Sequence, residues 1–275
     1  MPSTDMLKAT ETLYADTALK ARDRVLDPGI RKFERTIGEL FERQGRELLA
    51  ILARKRGLFE ESDREDAVEQ AASKAFLSVE TAMQRAAIEA IAAAFFEAAQ
   101  NTGILLGVTD AFNLPFPAAE AFANARAADL VTGLNATTRA RLKTLVEQAI
   151  ESGWSYDRLA KEIRSQFAGF AGKAPQKHIR SRSHLVAVTE LGQAYEAGSY
   201  AGAKRLNDAG IAVEKYWLTV GDDRSADGIC DSNQSAGWIP LEESYPSGHL
   251  HPLGHPACRC TQLSRKAIKE VPKAA

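Results

Sequence analysis

The sequence predicts an α+β protein: a long helical N-terminal and central region with a small, irregular, β-containing C-terminal module that bears cysteine and histidine. Three observations lead there. Apolar residues recur at the helical period over the first two-thirds of the 275 residues. After Gly210 the pattern changes to one aromatic and β-branched run, followed by turns rich in glycine. All three Cys, and three of the five His, lie in that last portion. On these features the chain divides into an N-terminal helical region at 1–115 with a long helix pair, a central helical region at 116–210, and a Cys/His module at 211–275.

The elements follow in order. Asp27-Pro28-Gly29 is a turn signal. After it Ile30, Phe33, Ile37, Leu40, Phe41, Leu48 and Leu52 mark one face of a helix that stops near Gly57. Glu39 with Arg43, and Glu42 with Arg46, stand in the supportive i, i+4 order. Ser62 or Asp63 caps a second helix that runs to about Gln100. Its Val68, Ala72, Ala75, Val79, Ala82 and Ala86 suit an antiparallel pair in close, alanine-lined contact. Gly103 and Gly107 break the pattern, and the Pro-rich stretch 113–117 marks a boundary. Two helices are expected next, at 118–131 and, beyond Gly133 with caps among 135–138, through Ile150. Ser155 caps a short helix at 156–167 that buries Leu159 and Ile163. Residues 169–175 read as a loop and 176–208 as the last long helix. That helix is locally basic through Lys177, Arg180, Arg182, Lys204 and Arg205. Residues 213–220 read as a strand and 264–269 as a short final helix; Tyr216, Trp217 and Trp238 are the expected aromatic anchors.

Composition narrows the function classes. Lys+Arg 35 against Asp+Glu 36 leaves a formal charge of −1, which argues against the diffuse basic face of a nucleic-acid coat protein. With 45% hydrophobic and 26% charged residues the chain can bury a core. Three Cys make no disulfide framework, and the N-terminus carries no apolar leader pattern, so a reducing compartment is expected. The most apolar stretch, 86–99, is interrupted by Glu89 and Glu97 and is too short to span a bilayer. No phosphate-binding glycine loop, nucleophile elbow or H-E-x-x-H pair is present.

Cys230, His255, Cys258 and Cys260 have the chemistry of a Cys3His structural zinc site. Such a metal would hold a loop-rich segment whose apolar residues are few. The spacing is not a C-x-x-C pair, because Asn233 stands three residues after Cys230. Two other readings use the same residues: cysteines as small buried hydrophobes with histidines capping turns, and a disulfide from Cys230 to Cys258 or Cys260. A second cluster, Asp222, Asp223, Asp227 and Asp231, could serve a metal-dependent nuclease or nucleotide-transferring enzyme, although Asp is also a common turn residue. Arg259, Arg265, Lys266, Lys269 and Lys273 form a basic tail that a DNA-binding module would use.

The order of the pieces carries a resemblance. Gly153-Trp154-Ser155 and a short helix lead to Leu185-Val186-Ala187-Val188-Thr189-Glu190, then to Ala194-Tyr195-Glu196-Ala197-Gly198. Lys215-Tyr216-Trp217-Leu218-Thr219, Asp222-Asp223-Arg224-Ser225, Cys230 and the closing His255-Pro256-Ala257-Cys258-Arg259-Cys260 follow. Over residues 120–265 this resembles the phage Mu protein F-like minor head proteins, also called phage head morphogenesis proteins. Asn233 stands where many relatives complete a C-x-x-C, and Val188 where Arg usually precedes Thr-Glu. The resemblance implies a non-enzymatic virion component, present in few copies and met in the host cytoplasm during assembly. It implies association with the portal protein and other capsid components, and an influence on packaging or ejection of DNA. Thr189 and Glu190 then read as structural, with Glu190 in reach of a basic group such as Arg224. The helix around Phe95 and Phe96 is apolar over a broad arc. Residues 28–115 are therefore expected to carry contacts to the portal or to further copies of the chain, unless 118–208 cover those faces within one monomer.

Overall fold

The computed structural model describes residues 4–54, 64–108, 117–171, 181–220 and 228–267, with side chains from Thr12 onward. Helices α1 (Thr4–Arg54), α2 (Arg64–Leu105), α3 (Pro117–Glu151), α4 (Tyr156–Phe170) and α5 (Arg182–Asp208) precede strand β1 (Val213–Leu218). Helix α6 (Ile229–Ser235), β2 (Ile239–Pro240) and β3 (Thr261–Lys266) complete the order. The α+β class with a small C-terminal sheet is as predicted. The chain groups into two compact units, each made of separate stretches: 30–90 with 120–187, and 1–29 with 91–119 and 188–275.

The unit of 30–90 and 120–187 is all helical. Phe33, Ile37, Phe41, Leu48 and Leu52 of α1 are buried at the predicted spacing, as are Val68, Ala72, Ala75 and Val79 of α2. Helix α4 is capped by Ser155, whose Oγ accepts the Arg158 N–H at 3.3 Å, and it buries Leu159, Ile163, Phe167 and Phe170. It runs three residues past the predicted end because Phe170 joins the core, tilted against Phe41 at 5.6 Å between ring centroids. Residues 118–131 and 135–150 do not form two helices: α3 continues through Gly133 and Asn135. Asn135 is buried, yet its Oδ1 accepts from Gln44 Nε2 at 3.2 Å, so a cap-type residue is satisfied mid-helix by a partner 91 positions away. Helix α5 begins at Arg182, with the Ser181 Oγ accepting the His184 N–H at 3.0 Å; its predicted start, 176–180, lies outside the described residues.

The other unit holds the sheet. Here α1 differs from expectation, since Asp27-Pro28-Gly29 is not a turn but lies inside the helix. Proline costs an intrahelical hydrogen bond, but Ala18, Arg22 and Leu26 bury the turns before it. A Cβ on Gly29 would meet Leu191 Cδ1 at 3.3 Å, so this glycine is a contact position. Helix α5 packs on α2 through Gly198 and Gly202, where a Cβ would stand 2.1 Å from the Phe95 carbonyl oxygen and 2.7 Å from that of Ala99.

The sheet is antiparallel in the order β2-β1-β3, with Lys215 opposite both Ile239 and Ser264. Strand β1 ends at Leu218, two residues short of the prediction. The predicted helix at 264–269 is replaced by β3 over its described part, because Thr261 to Lys266 pair with β1 across the intervening loops. Helix α6 has no counterpart in the expectations. Both sheet edges are blunted. Strand β2 is two residues long and ends in Pro240. On β3, the Gln262 N–H donates to Glu196 Oε2 at 2.8 Å and the Tyr14 hydroxyl donates to the Ser264 carbonyl.

Candidate metal centre

Strand β1 alternates strictly, with Val213, Lys215 and Trp217 inward. Trp217 is fully buried in a cluster with Cys230, Tyr245, Leu253, Cys258 and Cys260, and its ring meets Tyr245 edge-on at 5.1 Å. It is the principal anchor of the sheet. Tyr216 and Trp238 are half-buried and pack on each other at 5.5 Å, with the Arg265 guanidinium 4.1 Å from the Trp238 ring.

Three of the four predicted ligands converge. Helix α6 presents Cys230, and the segment leading into β3 brings His255 and Cys258 to it. Cys230 Sγ lies 3.8 Å from Cys258 Sγ and 3.5 Å from His255 Nε2, and the three donor atoms all fall within 4.8 Å of one another. Two thiolates and an imidazole bound at ordinary zinc distances to one tetrahedral ion would be separated by about 3.8 Å (S to S) and about 3.5 Å (S to N). The spacing therefore fits a metal. Cys260 is buried beside them and interacts with both Cys258 and Cys230. All three cysteines are free thiols in this structure.

The electrostatics fit as well. The Cys258 thiol is pulled down, first by the hydrogen bond from Cys260, against burial, and further by the backbone N–H groups of Cys260 and Gly254. Cys260 is pushed up, first by its bond to the Cys258 sulfur and then by burial, with the Trp217 indole N–H as an opposing donor. That N–H is buried and has no conventional acceptor, so a thiolate ligand would give it one. His255 Nδ1 lies 3.0 Å from the Pro256 carbonyl oxygen, which can only accept. The proton therefore sits on Nδ1, and the Nε2 lone pair faces Cys230, the tautomer a metal ligand needs.

Helix α5 holds this loop. Ala257, at φ 59°, is a non-glycine residue in the left-handed region immediately before Cys258, and its N–H donates to Thr189 Oγ1 at 3.1 Å. Gln193 Nε2 donates to the Leu253 carbonyl at 3.0 Å. A Cβ on Gly192 would stand 2.8 Å from Leu253 Cδ1, so the helix must be bare at that point. Thr189 thus holds the turn before Cys258, and Glu190 is buried. The expected partner Arg224 lies outside the described residues. Asn233, three residues after Cys230, is buried and anchors Ser247 twice: Nδ2 donates to its Oγ at 2.8 Å, and Oδ1 accepts its N–H at 3.1 Å.

Other predicted residues stand apart. His249 Nδ1 bonds Ser247 Oγ and His251 Nδ1 faces the Pro252 carbonyl, and neither is among the donors that converge with Cys230. Asp222, Asp223 and Asp227 lie outside the described residues, and Asp231 is exposed on α6. In the basic tail, Arg265 is engaged with Glu214 at 2.8 Å, while Lys269 and Lys273 lie outside the described residues. On α5, Lys204 is held at 2.8 Å by both Asp208 and Glu242. No described helix is long and apolar enough to cross a membrane.

Sequence reasoning missed two buried charges. Lys215 is fully buried, and burial pushes its ammonium down to about 8. Glu196 is also fully buried, 3.4 Å from Arg22; burial pushes its carboxyl up to about 7 against the pull of that guanidinium. The signal for Lys215 was present: a lone lysine at an inward position of an alternating strand.

Residues 140–263 match the family described as Phage Mu protein F like protein. No curated protein and no solved structure gives a significant match. The matched segment contains α4, α5, β1, α6, β2 and all four cysteine and histidine candidates.

Proposed function

We propose, from the phage Mu protein F-like character of residues 140–263, that this chain is a phage or prophage minor head protein. In this reading it is a low-copy structural component of the virion that associates with the portal during capsid assembly and influences DNA packaging or ejection. Its work is mechanical and interactive, not catalytic. The observation that carries the proposal is the convergence of the family-like motifs on one cradle. The Thr-Glu helix holds the turn before Cys258, the Lys-x-Trp strand lines its floor, and the closing His-Pro-x-Cys-Arg-Cys brings His255 and Cys258 to Cys230.

The metal in this reading is one structural zinc, held by Cys230, His255, Cys258 and Cys260. It would tie the segment before β3 to α6, where direct packing of a loop offers few apolar contacts. Residues 28–115 would carry the contacts to the portal or to further copies. In support, Leu77 and Ile104, both on α2, are 71% and 59% exposed.

Co-expression of the full chain with the portal protein of the same phage tests the partner. Deleting 1–115 is unsuitable, because α1 and α2 supply core residues to both compact units. Leu77→Lys and Ile104→Lys in the intact chain are the appropriate variants. Co-purification reduced by either variant supports the assignment. Undiminished recovery of both places the contact elsewhere, and no recovery of the parent chain removes the portal as a direct partner.

A further inference from the structure

Lys215 is an expensive residue to bury. Its Nζ donates to the Leu250 carbonyl at 2.6 Å and stands 5.2 Å and 4.9 Å from the ring centroids of Tyr200 and Tyr245. Among the described residues it forms no salt bridge. Two aromatic faces, one carbonyl dipole and the more distant charge of Glu243 compensate the ammonium, where methionine would fill the same space without desolvating a charge. What methionine could not do is hold Leu250.

Leu250 begins the stretch that delivers the ligands. From His249 to Cys258 the backbone forms no regular element. Besides the turn bond from the Tyr245 N–H to the His249 carbonyl, three side chains hold its backbone: Lys215 at Leu250 O, Gln193 at Leu253 O, and Thr189 at the Ala257 N–H. The last two lie on α5, whereas Lys215 supplies a hydrogen bond from β1, the strand whose Trp217 packs under the sulfurs and against Leu253.

We propose that Lys215 is a positioning residue of the metal centre: caged by Tyr200 and Tyr245, it tethers the Leu250 carbonyl and so holds the strap that carries His255 and Cys258 against Cys230. The inference rests on the metal reading above and assigns to this lysine the preorganisation of the site before metal arrives.

The test uses the full chain as wild type, Lys215→Met and Lys215→Arg. Hydrogen exchange at the amides of 249–258 is measured on EDTA-treated protein, and zinc affinity by competition with a chromogenic chelator. Loss of one charged hydrogen bond should speed strap exchange about tenfold in Lys215→Met, with α1 to α4 unchanged. Zinc affinity should fall about 10- to 100-fold, the usual effect of removing an outer-shell partner. Lys215→Arg, which keeps a cationic donor, should recover part of both. Cobalt-substituted Lys215→Met should show an altered ligand-field spectrum, which a remote packing change would not produce. Wild-type strap protection and zinc affinity in Lys215→Met would overturn the proposal. A wild-type chain that binds no zinc would instead overturn the metal reading beneath it. If Lys215→Met loses its helical circular dichroism, the wild type still decides: its Lys215 ammonium protons should exchange slowly by nitrogen-15 NMR, and exchange at the solvent rate would refute the tether.

Discussion

Gly198→Ala adds one methyl group where helix α5 meets helix α2. The new carbon would sit 2.1 Å from the Phe95 carbonyl oxygen, 2.8 Å from its carbonyl carbon and 2.9 Å from its Cα. The closest comfortable approach of carbon to a carbonyl oxygen is about 3.3 Å, so the helices must part by about 1 Å. All three obstructing atoms are backbone, and no rotamer change relieves them. Phe95, Ala98, Ala99, Ala194 and Ala203 are buried nearby and would lose close contact as the helices separate. Overpacking of this kind costs about 1–3 kcal/mol and sometimes more, while alanine's better helix propensity returns about 1 kcal/mol. Because the obstruction is all backbone, the cost falls at the upper end of that range, and a net loss of about 2 kcal/mol is expected. Gly133→Ala is the control: this exposed glycine lies within α3 with nothing within 4 Å of its missing Cβ, so the substitution should stabilise by about 0.5–1 kcal/mol. Urea unfolding of the full chain, followed by far-ultraviolet circular dichroism and tryptophan fluorescence, measures both. A Gly198→Ala protein as stable as the parent would refute the close-packed helix crossing.

Other outcomes follow from the same geometry. Because the Glu196 carboxyl is raised from 4.5 to about 7, the folded state binds the extra proton between those values. Its stabilising contribution is full below about pH 4.5 and is lost as pH rises through about 7, so the stability of wild type relative to Glu196→Gln should decline across that window; a constant difference would contradict it. Thr189→Val removes the acceptor for the Ala257 N–H while keeping a β-branched side chain, and should cost about 1–3 kcal/mol and weaken zinc retention; an unchanged melting temperature would count against the strap's anchoring. Prolonged chelation should release one equivalent of zinc and change Trp217 fluorescence while leaving the helical signal intact; protein purified without a His-tag that contains no zinc would leave the packing reading of the cysteines.

Periodicity alone located the faces of α1, α2 and α4, since burial of an apolar stripe is a local property repeated every three or four residues. The aromatic and β-branched run of β1 and the crowding of Cys and His near the C-terminus were equally legible, because residue type and short-range order are written along the chain. Local signals misled where a distant partner changed the balance. Asn135 reads as a cap until Gln44 satisfies its amide, and Asp27-Pro28-Gly29 reads as a turn until packing carries the helix through it. The segment 261–266 becomes a strand only because β1 lies beside it. Cys230, His255 and Cys258 could be named from sequence, but the 3.8 Å and 3.5 Å spacings that suit a metal exist only after α5, β1 and α6 have converged. Lys215 shows the same division: sequence placed it within a strand, whereas the tertiary structure turns it inward and supplies the two tyrosine rings and the Leu250 carbonyl around the buried ammonium. Partners separated by 15 to 35 positions have no local signature, and folding alone brings them within reach.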